Sequence, residues 1–309
     1  MHKICLIISF LFLYSGLNAQ NIVGKGNTLP LVGYWSVGTT KNVKSVNTTT
    51  QVKGSKTTIA NRKTESTWKV VDSTDKSYVI HYTMNSFSSD QTSDSFLMAF
   101  AQVFKGITMK YCTNEVGIFD SIINIKEIST LCNNGLDNAI KSMKWPDNNY
   151  TKEVKSKLKE MLGDLFTFKA SLEEELHVIH YFYGLEYQLS KLYTYDYELP
   201  SLIGGENYPS KLKMKMSSLT PAADKVKLTG TIIPNPETYH NIAFKNLSNY
   251  CEYYGLPKPK KTDIAMYSST HKIESTYSMT EAWPMVCTYI KINTSDKSKT
   301  TETLTISFN

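Results

Sequence analysis

The run Glu173-Glu174-Glu175-Leu176-His177-Val178-Ile179-His180 is the one stretch whose residue types and spacing could hold a metal ion. On a helix, Glu173 and His177 are four apart, Glu174 and His177 three apart, and His177 and His180 three apart, so a carboxylate and two imidazoles could meet on one side. The order is not the H-E-x-x-H of zinc peptidases, and a further protein ligand would have to come from elsewhere. A plainer assignment puts His180 on the Leu176 side as a hydrogen-bonded core residue and leaves Glu173 and Glu174 to pair with His177 at the surface. No cofactor is expected.

A second constellation is aromatic. Tyr193, Tyr195 and Tyr197 share one parity of an alternating segment, and Met214 and Met216 share one parity of another. Tyrosine offers an apolar ring with a polar tip and methionine an adaptable thioether, so these five are the candidate lining of a pocket for an apolar or amphipathic small molecule. The same residue types also fill sheet cores. Cys112, Cys132, Cys251 and Cys287 could form two disulfides, with Cys112 to Cys132 and Cys251 to Cys287 the expected pairing among three arrangements. Buried free cysteine is the alternative, since no C-x-x-C or zinc spacing occurs. No G-x-S-x-G elbow, P-loop or G-x-G-x-x-G is present, so catalysis would need a site assembled from distant residues.

The elements that must position these groups are mostly strands. Val43 to Val52, Thr57 to Thr67, Trp68 to Val71 and Tyr78 to Met84 alternate with period two and predict four strands, with turns at Gly54 and at Asp72 to Asp75. Ser95 to Phe104 is apolar on all sides and predicts a short buried helix capped by Ser93 or Asp94. Ile107 to Asn124 predicts a hairpin turning near Asn114, and Ile125 to Met143 a helix stopped by Pro146. From Tyr150 to Tyr183 apolar residues step by three and four, with a break around Gly163. Tyr187 to Leu199 then alternates as one strand, Pro200 to Pro209 forms a loop, and Leu212 to Ile233 folds as a hairpin. Pro236 to Tyr254 is helical, and Ile264 to Phe308 supplies four more strands.

The sum is an α+β fold, a large twisted antiparallel sheet of about 11–13 strands, half-barrel-like, packed against three or four helices. Residues 20–309 read as a single β-rich domain, or as two β lobes, 20–149 and 200–309, joined by a helical middle at 150–184.

Residues 1–19 read as an export signal: Lys3, an apolar run from Ile4 to Tyr14, and Ala19 before Gln20. Such a run rises only about 16 Å as a helix, too short to span a bilayer, so no transmembrane segment is expected. The expected location is outside the cytoplasm: periplasmic, cell-surface or secreted. Of 34 basic residues Arg62 alone is arginine, which argues against bidentate phosphate or base recognition, and nucleic acid is not expected as a partner. The lysine clusters around Lys155 and Lys258 are solvated faces or contacts for anionic partners. The function these features favour is a non-catalytic exported binding protein with a cup for an apolar or amphipathic ligand. The alternatives are an envelope protein–protein interaction module and a hydrolase with a dispersed site.

Overall fold

The computed structural model describes residues 23–91, 95–142, 144, 147–199, 205–253, 255–260, 268–295 and 298–309. The export signal, the caps Ser93 and Asp94, Pro146, residues 200–204 of the expected loop and residues 264–267 of the expected last strands lie outside the described residues.

In chain order the elements are β1 (Thr28–Leu31), β2 (Thr40–Lys53), β3 (Lys56–Ser73), β4 (Ser77–Ser89), α1 (Ser95–Phe104), β5 (Thr108–Asn114), β6 (Phe119–Ile122), α2 (Ile125–Ser142), α3 (Asn149–Gly163) and α4 (Leu165–His180). They continue with β7 (Leu185–Gln188), β8 (Tyr193–Leu199), β9 (Tyr208–Thr220), β10 (Lys225–Pro234), α5 (Pro236–Tyr253), β11 (Ser268–Ser278), β12 (Pro284–Ser295) and β13 (Ser298–Phe308). Eleven strands make one antiparallel sheet in the order β6-β5-β4-β3-β2-β13-β12-β11-β10-β9-β8, while β1 and β7 pair as a separate ribbon. Among the described residues no helix is long and apolar enough to cross a membrane.

Alternation explains most strands directly. In β9, Ser210, Leu212, Met214 and Met216 point inward and are buried, while Lys211, Lys213 and Lys215 point out. Register carries the inner face across the whole sheet: Met216, Leu228, Ser275, Cys287, Ile306, Ser45, Thr64 and Phe87 are successive cross-strand neighbours from β9 to β4. At the β9 end this row is core; at the β4 end it is partly open.

Three expected boundaries are corrected. The segments Thr57 to Thr67 and Trp68 to Val71 are one continuous strand, β3, because Thr64, Ser66, Trp68 and Val70 keep one parity with no turn residue between them. Tyr187 to Leu199 is two strands rather than one: Ser190 takes φ of 63° and donates its N–H to Met216 O, which sends β7 to pair with β1 and leaves β8 on the sheet edge. Among the described residues beyond 264 there are three long strands, not four.

The helix count is also corrected, to five among the described residues. The break near Gly163 is complete: the Asp164 N–H bonds Glu160 O, ending α3, and Asp164 O accepts from the Phe168 N–H, starting α4. The helices brace one another, Ser129 Oγ of α2 donating to Leu162 O of α3 at 2.6 Å. The C-terminal half of α4 lies in the core, where the Tyr277 hydroxyl donates to Ile179 O at 3.3 Å. Beside it Trp35 stacks on Trp283 at 4.7 Å between ring centres, and Tyr183 meets Trp35 edge-on.

Candidate functional site

An open cavity of about 200 Å³ lies where α1 and α4 cross the inner face of β3, β4 and β5. Sheet residues Thr64, Tyr82, Met84, Phe87 and Met109 form its floor; Phe100, Ala101 and Phe104 of α1 and Leu172, Glu175 and Leu176 of α4 form its walls. Each wall has a local cause. Met84 and Phe87 are three apart in a strand yet face the same side, because β3 pairs Ser66 with Met84 but Glu65 with Ser86, making Asn85 the extra residue of a bulge. Phe100 and Phe104 are a turn apart on α1 and stack at 5.8 Å, while Phe168 of α4 meets Phe100 edge-on at 6.3 Å. Gly106 ends α1 with φ of 79° and donates its N–H to Met84 O, clamping the helix to the floor of the cavity.

The lining is apolar except at one end, where Thr64 and Glu175 stand. Ser45 Oγ donates to Glu175 Oε1 at 2.5 Å. Burial pushes the Glu175 carboxyl above the usual carboxylate range; the Ser45 bond opposes this and Glu174 adds to it. A larger volume, 380 Å³, lies along α3 beside Tyr150, Glu153, Val154 and Lys157, but all four residues sit on one helix and make a surface hollow with no facing wall.

The residues singled out from sequence are distributed elsewhere. Met214 and Met216 are buried, and the Tyr187 hydroxyl meets Met214 Sδ at 4.0 Å. Tyr193 and Tyr197 are half-buried against the core, and Tyr195 is 40% exposed. The Tyr193 hydroxyl accepts the Gln188 N–H at 3.0 Å, and Lys191 lies over its ring. These five share a face of β8 and β9 but do not line the cavity.

The metal assignment for Glu173, His177 and His180 is corrected. Both His180 nitrogens are engaged in the core: Nδ1 with Gly117 O at 2.8 Å and Nε2 with the Tyr111 hydroxyl at 3.0 Å. Burial lowers the His180 pKa to about 4, so the ring is neutral, its Nδ1–H donating to the carbonyl and its Nε2 accepting from the phenol. No lone pair remains for an ion. His177 instead packs edge-on to Phe119, and Glu173 pairs with Lys169 at 3.4 Å rather than with His177. Glu174 has a different setting, where burial raises its pKa, Lys291 opposes the rise and the like charge of Glu302 adds to it. Among the described residues no cluster of metal-ligating side chains occurs.

The disulfides are corrected as well. All four cysteines are free: Cys112 on β5 contacts Asp120 and Ser121, Cys132 is buried in α2, Cys251 is buried in α5, and Cys287 lies in the core face of β12. Burial pushes the thiols of Cys132 and Cys287 up to about 12, which keeps them protonated and inert.

A serine–histidine contact does occur, between Ser269 and His271, and its proton order speaks against a nucleophile. The Tyr289 hydroxyl donates to His271 Nδ1, His271 Nε2–H donates to Ser269 Oγ at 3.0 Å, and Ser269 donates to Asn293 Oδ1 at 2.8 Å. The serine proton points at an amide, away from the imidazole. In the two lysine clusters, Lys155 pairs with Asp137 at 2.5 Å, Lys157 with Glu153 at 2.8 Å and Lys258 with Glu252 at 2.8 Å.

No family model and no curated protein matches the chain. Solved structures that match in part include one of lipovitellin, described for its lipid–protein interactions, at 8% identity and a TM-score of 0.42, covering 89% of this chain and 25% of that one. DynF from the dynemicin biosynthesis pathway of Micromonospora chersina matches at 6% identity and a TM-score of 0.21, covering 95% of this chain and 89% of that one. The chain thus spans a quarter of the lipovitellin chain, and likenesses this slight carry no conclusion about function.

Sequence reasoning missed Glu175 and the cavity. The trace was there for the carboxylate: Leu172, Glu175, Leu176 and Ile179 step by three, one and three, which places Glu175 beside the apolar stripe of α4 and apart from its two acidic neighbours. For the cavity the trace was α1, apolar at eight of its ten positions and too hydrophobic to lie on a surface.

Proposed function

We propose that the protein is a non-catalytic binding protein that takes the apolar end of an amphipathic small molecule into the cavity between α1, α4 and the β3–β5 floor. The observation that carries this is the lining: aromatic, methionine and leucine side chains on three sides, with a single carboxyl at one end. A volume of about 200 Å³ suits one ring or a short length of alkyl chain, since a dry cavity of about 150 Å³ already holds benzene. Export through residues 1–19 places the protein in the periplasm, at the cell surface or in the medium, where a carrier of poorly soluble molecules has work to do. The interaction-module alternative has less support, because Lys155 and Lys157 already face acids, and the hydrolase alternative less again, because the Ser269 proton is directed away from His271.

Nile red fluorescence of the purified protein tests the cavity. The wild type should give a blue-shifted, saturable signal, and Ala101→Leu, which fills the space from α1, should lose it while retaining its circular dichroism. No signal from the wild type, or an equal signal from Ala101→Leu, rules the cavity out as the binding site.

A further inference from the structure

The cavity has one polar wall group with capacity to spare. Among the described residues the side-chain hydrogen bond to Glu175 comes from Ser45 and falls on Oε1, and Glu175 itself lines the cavity, so Oε2 is the oxygen left to meet a ligand. The titratable groups set around this carboxyl are Glu174 on the same helix, Tyr82 on β4 and Tyr111 on β5. Each of them lacks positive charge. Lys291 faces Glu174 rather than Glu175, and Arg62 sits one inward position beyond Thr64 on β3. A desolvated carboxyl group at the end of an apolar hole gains from a hydrogen-bond donor and is opposed by a second anion.

Resting on the reading of the cavity as a ligand site, we infer that it selects chains ending in a hydrogen-bond donor, a primary amine or a hydroxyl, over chains of equal length ending in a carboxylate. An ammonium would neutralise Glu175 and a hydroxyl would donate to Oε2. A fatty acid anion would bring like charge against Glu175, with Ser45 already committed. Either accepted head group exchanges a hydrogen bond to water for one to the carboxylate, and the rejected one finds on the cavity wall the neutral hydroxyls of Thr64 and Tyr82 and no cation.

Competition against Nile red with a ten-carbon amine, alcohol and acid, each below its critical micelle concentration at pH 7.5, reads this directly. The amine and the alcohol should displace the dye at concentrations about tenfold or more below the acid, about 1.4 kcal/mol of discrimination. Glu175→Gln, which keeps the shape and the Ser45 acceptor, should shrink that ratio for the amine by weakening it and strengthening the acid. Equal or better displacement by the acid overturns the inference and points to Arg62 as the head-group contact. An unchanged ratio in Glu175→Gln overturns it too. If none of the three displaces the dye, the cavity itself is not a chain-binding site, a failure distinct from the wrong choice of head group.

Discussion

Ser45 Oγ and Glu175 Oε1 lie 2.5 Å apart, joining the inward face of β2 to the middle of α4 across 130 residues of chain. The bond holds a carboxyl whose surroundings otherwise disfavour its charge, since burial drives its pKa upward. A carboxyl raised above its unfolded value near 4.5 stabilises the fold fully only below that value and loses this as pH rises through the folded pKa. Glu175→Gln should therefore be more stable than the wild type at pH 7.5, with the difference fading toward pH 4. Urea unfolding at the two pH values checks it. A Gln variant less stable at pH 7.5 would mean that the charge is favoured in the fold.

His180 should show the opposite dependence. Its pKa is lowered from 6.5 to about 4, first by burial, so its contribution is complete above pH 6.5 and is eroded as pH falls from there to about 4. His271, lowered to about 4 by burial and then by Lys291, adds to the same window. At the acid end each histidine accounts for about 3 kcal/mol of lost stability. His180→Gln should destabilise by about 2 kcal/mol at neutral pH, because Tyr111 loses its acceptor, and by less at pH 4.5. A constant difference across that range would show that His180 has the same pKa in the folded and unfolded states.

Gly184 and Gly135 should respond in opposite directions to alanine. Gly184 has φ of 81°, donates its N–H to Leu31 O at 2.8 Å, and a Cβ there would meet Ile118 Cδ1 at 2.6 Å. Gly184→Ala should cost about 1–3 kcal/mol. Gly135, inside α2 with nothing within 4 Å of a Cβ, should gain about 0.5–1 kcal/mol as alanine. Thermal unfolding of the pair gives both signs.

The thiols make a separate expectation. With all four free and Cys112 alone only half-buried, a thiol reagent at pH 8 should label one site rapidly in the native protein. The other three should react on unfolding. Two disulfide-linked pairs in protein recovered from an oxidising compartment would contradict the free thiols.

How much of this was legible depended on how local each feature is. The lysine-alternating β9 and the three-and-four spacing of α4 carry their burial pattern in adjacent letters, and both came out as expected. The length of β3 was obscured because each of its ends belongs to a different hairpin, turning at Gly54 and at Asp72 to Asp75, and nothing in the letters says that the two hairpins share one strand. The break at Ser190 was not legible, since nothing about a serine announces φ of 63°; the backbone bond to Met216 O imposes it from another strand. The cavity was beyond reach for the same reason. It needs a bulge at Asn85, a stacked pair on α1 and a carboxyl on α4 to converge, and only the fold brings them together.

The ladder between β2 and β13 has a consequence for how the molecule assembles. Strands β2 to β6 and strands β8 to β13 each follow one another along the polypeptide, with α1 inserted between β4 and β5 and α5 between β10 and β11. Within the sheet, the rungs from Val43–Phe308 to Lys53–Ser298 unite the two sets. The entropic toll of bringing far-apart stretches together is thus concentrated in a single seam, and Ser45, the residue that grips Glu175, sits on it.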